Sequence, residues 1–280
     1  MKKTALVIGA SHAGAQVVTS LRQEGWDGDI VLIGEEPHLP YHRPPLSKTF
    51  LAGDKTTAEL AIRPISFYEK NDIQFRQGRV TAIDRQHQTI TLSDGAELAY
   101  DKLALCMGAR VRRVELLGSE LKGVHYLRNI ADVEGIQAEL AQAKTAVIIG
   151  GGYIGLETAA SLRKQGLQVV VLEMAERILQ RVTAPELSAF YARVHGEEGV
   201  QIQTGVSITS ILGDGRVEGV LCGNGAIFPA DIVVVGVGVI ANVELAEAAD
   251  IAVENGIIVD EFCRTNDPSI VAAGDCANHF

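Results

Sequence analysis

The sequence predicts an α/β fold made of two successive strand–turn–helix–strand units, each with a parallel sheet and an antiparallel meander. Three stretches carry this. VIIGGGYIGLE (147–157) reads as a buried strand, a glycine-rich turn and a helix start. LVIGASHAG (6–14) reads the same way near the beginning of the chain. SDGAELAYDKLALCMG (93–108) and GNGAIFPADIVVVGVG (223–238) keep one spacing from turn glycine to Asp to final glycine, as an internal duplication would.

The elements follow in order. TALVIG is an apolar, β-rich run, and AGAQVVTSLRQEG is a helix stopped at Gly25. DIVLIGEE is the next strand. The paired prolines of YHRPPLSKTFL interrupt any helix until about Leu46. RVTAID, QTITL and AELAY alternate apolar with polar residues, which predicts an antiparallel meander. KLALCMG returns to a buried strand. The second unit repeats the plan with strand TAVIIG, helix YIGLETAASLRKQG and strand QVVVLE. VSITSIL, RVEGVLC and AIFPA form its meander around GDG and GNG turns, and DIVVVGVG closes it. IVAAGDCANHF reads as a strand, a Gly-Asp turn and a helix beginning at Asp275 that stops within one turn at Phe280.

Composition narrows the class. A chain of 280 residues suits two domains, and its mixed charges and 47% hydrophobic content predict a globular protein. A net charge of −10 argues against nucleic acid as a partner. Residues 1–113 carry 15 Lys/Arg against 13 Asp/Glu, and residues 114–280 carry 10 against 22. An acidic partner would therefore favour the first part. Cys106, Cys222, Cys263 and Cys276 form no C-x-x-C and no zinc spacing. They are expected as buried small apolar residues in a reducing compartment. MKKTALVIGA is too short in its apolar run, and too close to glycine, to prefer a signal peptide. No apolar stretch reaches a membrane span, so the expectation is a soluble, cytoplasmic protein.

The glycine turns point to chemistry. After the first strand of a βαβ unit, backbone N–H groups and a helix N-terminus face a pyrophosphate. Glycines allow close approach, and an acid ending the second strand binds a ribose hydroxyl. The second turn has Gly150, Gly152 and Gly155, with Glu173 ending QVVVLE. The first has Gly9, Ser11 and Gly14, with Glu35 after VLIG. Ser11 must turn its hydroxyl away from the phosphates or hydrogen-bond to them. Two such sites predict two dinucleotides, most simply a fixed flavin and an exchanging nicotinamide, because hydride transfer needs a donor and an acceptor.

The chain resembles the FAD-dependent, NADH-oxidising ferredoxin reductases of oxygenase and cytochrome P450 systems. RPPLSK (43–48), YLRNIADV (126–133), GGYIGLE (151–157) and SIVAAGDCA (269–277) carry the resemblance, which runs over essentially the whole chain. It implies two Rossmann-like domains of the glutathione reductase-like superfamily. The expected division is 1–110 and 232–280 for the FAD domain, with 111–231 an inserted NAD domain. The implied activity is hydride transfer from NADH to FAD, then single electrons to a ferredoxin-type iron–sulfur protein. No metal site is expected. An NADH oxidase or quinone reductase, and a nucleotide-binding remnant without turnover, are the alternatives.

The resemblance also implies site residues. For FAD these are Gly9, Ser11, Ala13, Gly14, Glu35, Arg43, Lys48, Val80, Gly108, Arg128 and Asp275. For NAD they are Gly150, Gly152, Ile154, Gly155, Glu173, Gly236 and Gly238. Lys48 and Glu157 are expected as an ion pair that tunes the flavin. The blander alternatives are solvated loop charges for Arg43 and Lys48, a surface position for Arg128, and a helix-start carboxylate for Glu157. Glu173 predicts a preference for NADH, softened by Arg177 and Arg181. Some positions depart from the family pattern. Cys106-Met107-Gly108 stands where A-T-G is usual, and Ala241 stands for a proline in GVGVIAN. The family's third domain has no counterpart in the sequence, from which weaker FAD retention is expected. No Cys lies in 41–48, which disfavours the disulfide reductases of the same superfamily.

Overall fold

The computed structural model describes residues 2–279. They fall into two compact units. The first comprises the chain up to His42, Leu60–Arg110 and the chain from Ile240; the second comprises Arg43–Glu59 and Val111–Val239.

The first unit is centred on a five-stranded parallel sheet. Its order is Ile270–Ala272, Lys102–Leu105, Thr4–Ile8, Asp29–Gly34, Ile73–Gln77. Leu6 and Ile8 enter one core cluster, and Ala5 and Val7 enter another. Burial on both faces is why these strands read as continuous apolar runs. The meander of Val80–Asp84, Thr89–Leu92 and Glu97–Ala99 is antiparallel. Its middle strand buries Ile90 and Leu92 and half-exposes Thr89 and Thr91, which accounts for the alternating sequence.

The second unit repeats the plan. Its parallel sheet runs Val124–Tyr126, Ile232–Val235, Thr145–Ile149, Gln168–Leu172, Val200–Gln203. Ile208–Gly213, Val217–Cys222 and Ile227–Pro229 form the meander. The duplication extends to single bonds. The Gly9 N–H donates to Ile33 O and the Gly150 N–H to Leu172 O, each at 2.8 Å. Asp101 Oδ2 accepts the Thr4 N–H at 2.7 Å, and Asp231 Oδ2 accepts the Thr145 N–H at 2.9 Å.

Several expectations need correction. Residues 232–235 do not open the returning part of the first domain. They pair with Thr145–Ile149 and Val124–Tyr126, so the units divide between Val239 and Ile240. Arg43–Glu59 also departs from the first unit. Ser161 Oγ donates to Ser47 O (2.7 Å), Gln137 Nε2 to Phe50 O (2.6 Å) and Gln165 Nε2 to Leu51 O (3.2 Å), which fastens the segment to the second. The paired prolines start a 3-10 turn, Pro44–Ser47, because proline suits the first positions of a helical turn. No helix begins at Asp275. Ala277–His279 is a strand parallel to Ile257–Val259, and this ladder satisfies backbone groups that a single helical turn leaves open. Cys263 is exposed, in the turn after Ile257–Val259, while the other three cysteines are buried. The helices Ile65–Lys70, Ile130–Leu140 and Pro185–Glu197 were not read from sequence. Among the described residues, no helix is long and apolar enough to cross a membrane.

Candidate functional site

Strand Thr4–Ile8 passes through Gly9 into helix His12–Gln23. Gly9 has φ +111, and a Cβ there would lie 2.0 Å from Cys106 O. A Cβ on Gly14 would lie 2.0 Å from Gly9 O. Both glycines are required by the fold itself. Ser11 is the N-cap residue but makes no side-chain cap bond, and no acid occupies the helix's first turn. The uncapped end is thus suited to an external anion. Ala13 abuts the Gly274–Asp275 turn, since a Cβ on Gly274 would lie 2.9 Å from Ala13 Cβ. Met107–Gly108 follows the neighbouring strand, and Gly108 has φ +64. Asn242 anchors that turn, donating from Nδ2 to Met107 O (2.8 Å) and from its N–H to Gly108 O (2.9 Å). These loops leave the carboxyl ends of parallel strands, where open α/β sheets bind ligands. Val80 begins the meander and packs, half-buried, against the core.

The second turn is built alike. Gly150 has φ +113, with a Cβ there 2.4 Å from Gly236 O; a Cβ on Gly155 would lie 2.1 Å from Gly150 O. Gly152 differs. Its φ is −79, and a Cβ would meet nothing within 4 Å. The protein alone does not require glycine there. Gly236 donates its N–H to Ile149 O (2.8 Å), and Gly238, at φ +108, ends the same loop. Ile154 is exposed on the first turn of helix Tyr153–Lys164. Glu173 is tied to the turn: Oε2 accepts the Gly151 N–H and Oε1 the Ala175 N–H, both at 2.7 Å.

The two acids are not equivalent. The matching bonds from Gly9 to Ile33 and from Gly150 to Leu172 align Glu173 with Gly34, so Glu35 lies one residue late. A Cβ at Gly34 would lie 2.6 Å from Ala10 Cβ, which bars any side chain there. Glu35 is exposed, with Arg79 Nε 3.2 Å from its Oε1. The expected softening by Arg177 is also corrected. Its guanidinium donates to Thr183 O (2.9 Å), Ser188 Oγ (2.6 Å) and Gln180 O (3.0 Å), so it is committed to its own loop.

A polar cluster lies within the second unit. Lys48 Nζ is 2.6 Å from Glu157 Oε2. Ser47 Oγ donates to the same oxygen, also at 2.6 Å. Lys48 Nζ donates further to Pro44 O at 3.1 Å. Glu157 lies beyond the first turn of its helix, which holds no acid, so the helix-start explanation fails. Arg43 Nη1 donates to Arg128 O at 2.6 Å, and the Arg128 N–H donates to Asp132 Oδ2 at 2.8 Å. Asp132 in turn belongs to a capping box with Asn129 at the start of helix Ile130–Leu140. Ser47 and Asn242 escaped the sequence reading although both lie inside quoted motifs, because neither is charged nor glycine. Among the described residues, no group of three or more His, Cys, Asp or Glu is placed to hold a metal.

Known proteins resemble the chain over nearly its whole length. The chain is 43% identical to putidaredoxin reductase CamA of Pseudomonas putida, over 97% of its length and 66% of the relative's. It is 42% identical to rhodocoxin reductase of Rhodococcus erythropolis, over 97% and 64%. The chain therefore spans about two thirds of the length of these curated relatives. The solved ferredoxin reductase for the CYP199A2 system from Rhodopseudomonas palustris superposes with a TM-score of 0.96 at 43% identity, covering 99% of this chain and 69% of that one. The family profile described as pyridine nucleotide-disulphide oxidoreductase matches residues 3–280, and the chain belongs to that family.

Proposed function

We propose that the protein is a flavoprotein reductase that takes hydride from NADH onto FAD and passes single electrons to a ferredoxin-type iron–sulfur protein. The observation that carries the reading is the repeated glycine turn, built twice with the same bonds at the carboxyl ends of two parallel sheets. The residues fit two dinucleotides. Each turn leaves a 12-residue helix without a side-chain cap, and Gly152 keeps open a space that no protein atom fills. The first unit would hold FAD through Gly9, Ser11, Ala13, Gly14, Glu35, Val80, Gly108 and Asp275. The second would hold NAD through Gly150, Gly152, Ile154, Gly155, Glu173, Gly236 and Gly238, and it carries Arg43, Lys48 and Arg128, which the family resemblance assigns to FAD.

When bound, FAD supplies a centre that accepts electrons in pairs and releases them singly. The chain's own part is to bind, orient and tune. Glu173 is fixed by two N–H groups and retains lone pairs for a ribose hydroxyl. Lys48, paired with Glu157, would supply a cation that favours negative charge on the flavin. The names of the relatives support a small redox protein as electron acceptor, and the three buried free thiols suit a reducing, cytoplasmic compartment. The test is reduction of bound flavin by NADH, followed by reduction of candidate ferredoxins, both by absorbance. We expect ferredoxin to be reduced in preference to quinones or O₂. A protein that binds no flavin, or that delivers electrons only to quinones or O₂, overturns the proposal.

A further inference from the structure

We propose that Ser47 is the positioning residue that holds Glu157, and through it the Lys48 ammonium, in place for the flavin step. The inference rests on the flavin reading above. It starts from one oxygen: Glu157 Oε2 accepts from both Lys48 Nζ and Ser47 Oγ, each at 2.6 Å. The two donors differ in mobility. Lys48 has a long stem and a side chain 46% exposed, while Ser47 is 4% exposed. An ion pair open to water fixes its partners weakly, because solvent screens the attraction and both side chains keep other rotamers. A buried hydroxyl donating to a carboxylate is short, directional and screened less.

Ser47 is itself gripped at its other polar end. Ser161 Oγ donates to Ser47 O at 2.7 Å, and Ser161 is buried. Glu157 and Ser161 are four residues apart on helix Tyr153–Lys164, so they lie on one face a turn apart. The helix therefore holds Ser47 at two points, by hydroxyl and by carbonyl. Lys48 follows directly in the chain, and its ammonium also reaches back to Pro44 O. Without the hydroxyl, Oε2 would keep only the mobile lysine, and the carboxylate would be free to turn into solvent.

The test compares Ser47→Ala, Ser47→Thr and Lys48→Met in the FAD-loaded protein. Ser47→Ala should slow flavin reduction by NADH roughly tenfold, as loss of a charge-assisted hydrogen bond would. The KM for NADH should be unchanged. The flavin midpoint potential should fall in the same direction as in Lys48→Met, and Ser47→Thr should restore rate and potential. In the FAD-free protein, reductive methylation of Lys48, read by mass spectrometry, should speed up several-fold in Ser47→Ala but not in Ser47→Thr. If Ser47→Ala folds poorly, Ser161→Ala should shift the same readouts in the same direction by less. The proposal is overturned if Lys48→Met moves rate and potential while Ser47→Ala moves neither them nor the labelling. If Lys48→Met changes neither rate nor potential, Lys48's part in the flavin step fails and the proposal for Ser47 is overturned with it, whereas a protein that binds no flavin fails the flavin reading itself.

Discussion

At the scale of single residues, the glycines divide into two kinds. Gly155 is closed off by backbone, with any Cβ 2.1 Å from Gly150 O, whereas Gly152 faces open space. Gly155→Ala should cost about 1–3 kcal/mol or more through overpacking against a carbonyl that cannot move alone. Gly152→Asp should leave the melting temperature unchanged or slightly raised, since Asp is a good N-cap. It should still weaken NADH binding at least about tenfold by placing a negative charge where a pyrophosphate would sit. Calorimetry and titration with NADH separate these outcomes; equal affinity in Gly152→Asp removes the second turn as the binding site. Glu173 gives a companion prediction. A 2′-phosphate would meet its carboxylate, with Arg177 already committed elsewhere. The discrimination should be about 1–2 kcal/mol, or roughly tenfold or more in kcat/KM for NADH over NADPH. Glu173→Gln should shrink that ratio, and equal values in the parent protein would rule the assignment out.

At the scale of elements, one arginine fastens the first meander to the chain that returns from Ile240. Arg85 follows strand Val80–Asp84 and places Nε 2.8 Å from Asp267 Oδ2 and Nη1 2.9 Å from Asp250 O. Burial pushes the Asp267 carboxyl up, but Arg85 and the Ser269 N–H outweigh it and hold it below the ordinary carboxylate range. The pair is largely shielded, at 29% and 14% exposure, so removing one partner strands the other. Arg85→Met should lower stability by about 2–3 kcal/mol, some of the full penalty being lost to partial solvation. Urea denaturation reads this as a lower midpoint at unchanged slope. A midpoint equal to the parent's would show the pair to be a surface ornament of the fold.

At the scale of the whole molecule, the acid response should be led by the second unit. Burial holds His125 and His195 below their ordinary value of 6.5, with Glu139 partly offsetting this at His125 and Arg216 adding to it. A base with a depressed folded pKa binds its proton more readily when unfolded. The stability it contributes is fully present above about pH 6.5 and is lost as pH falls below that toward the folded value. His87, in the first unit, acts in the opposite sense through Asp84, but its side chain is largely exposed to water and its effect is small. The melting temperature should therefore drop between pH 7 and 5, and the drop should shrink in His125→Gln. A flat profile over that range would contradict the prediction.

The repeat, the two glycine turns and most strands were legible because each is a local matter. Apolar runs buried on two faces, glycines at φ values other residues avoid, and Gly-Asn or Asp-Gly turns leave their marks within a few residues. The amphipathic helix Ile130–Leu140 was missed although its capping box, Asn129 with Asp132, stood in the sequence. Tertiary structure alone decided the rest. Ala277–His279 became a strand because Ile257–Val259 offered it a ladder. Glu35 stands one residue late because Ala10, from another strand's loop, fills the space beside Gly34. Arg43–Glu59 joined the second unit because Ser161, Gln137 and Gln165, distant in sequence, supply its carbonyls with donors. Backbone groups left unmet by local structure take whatever partner the fold brings near, and that partner's identity is not written beside them in the chain.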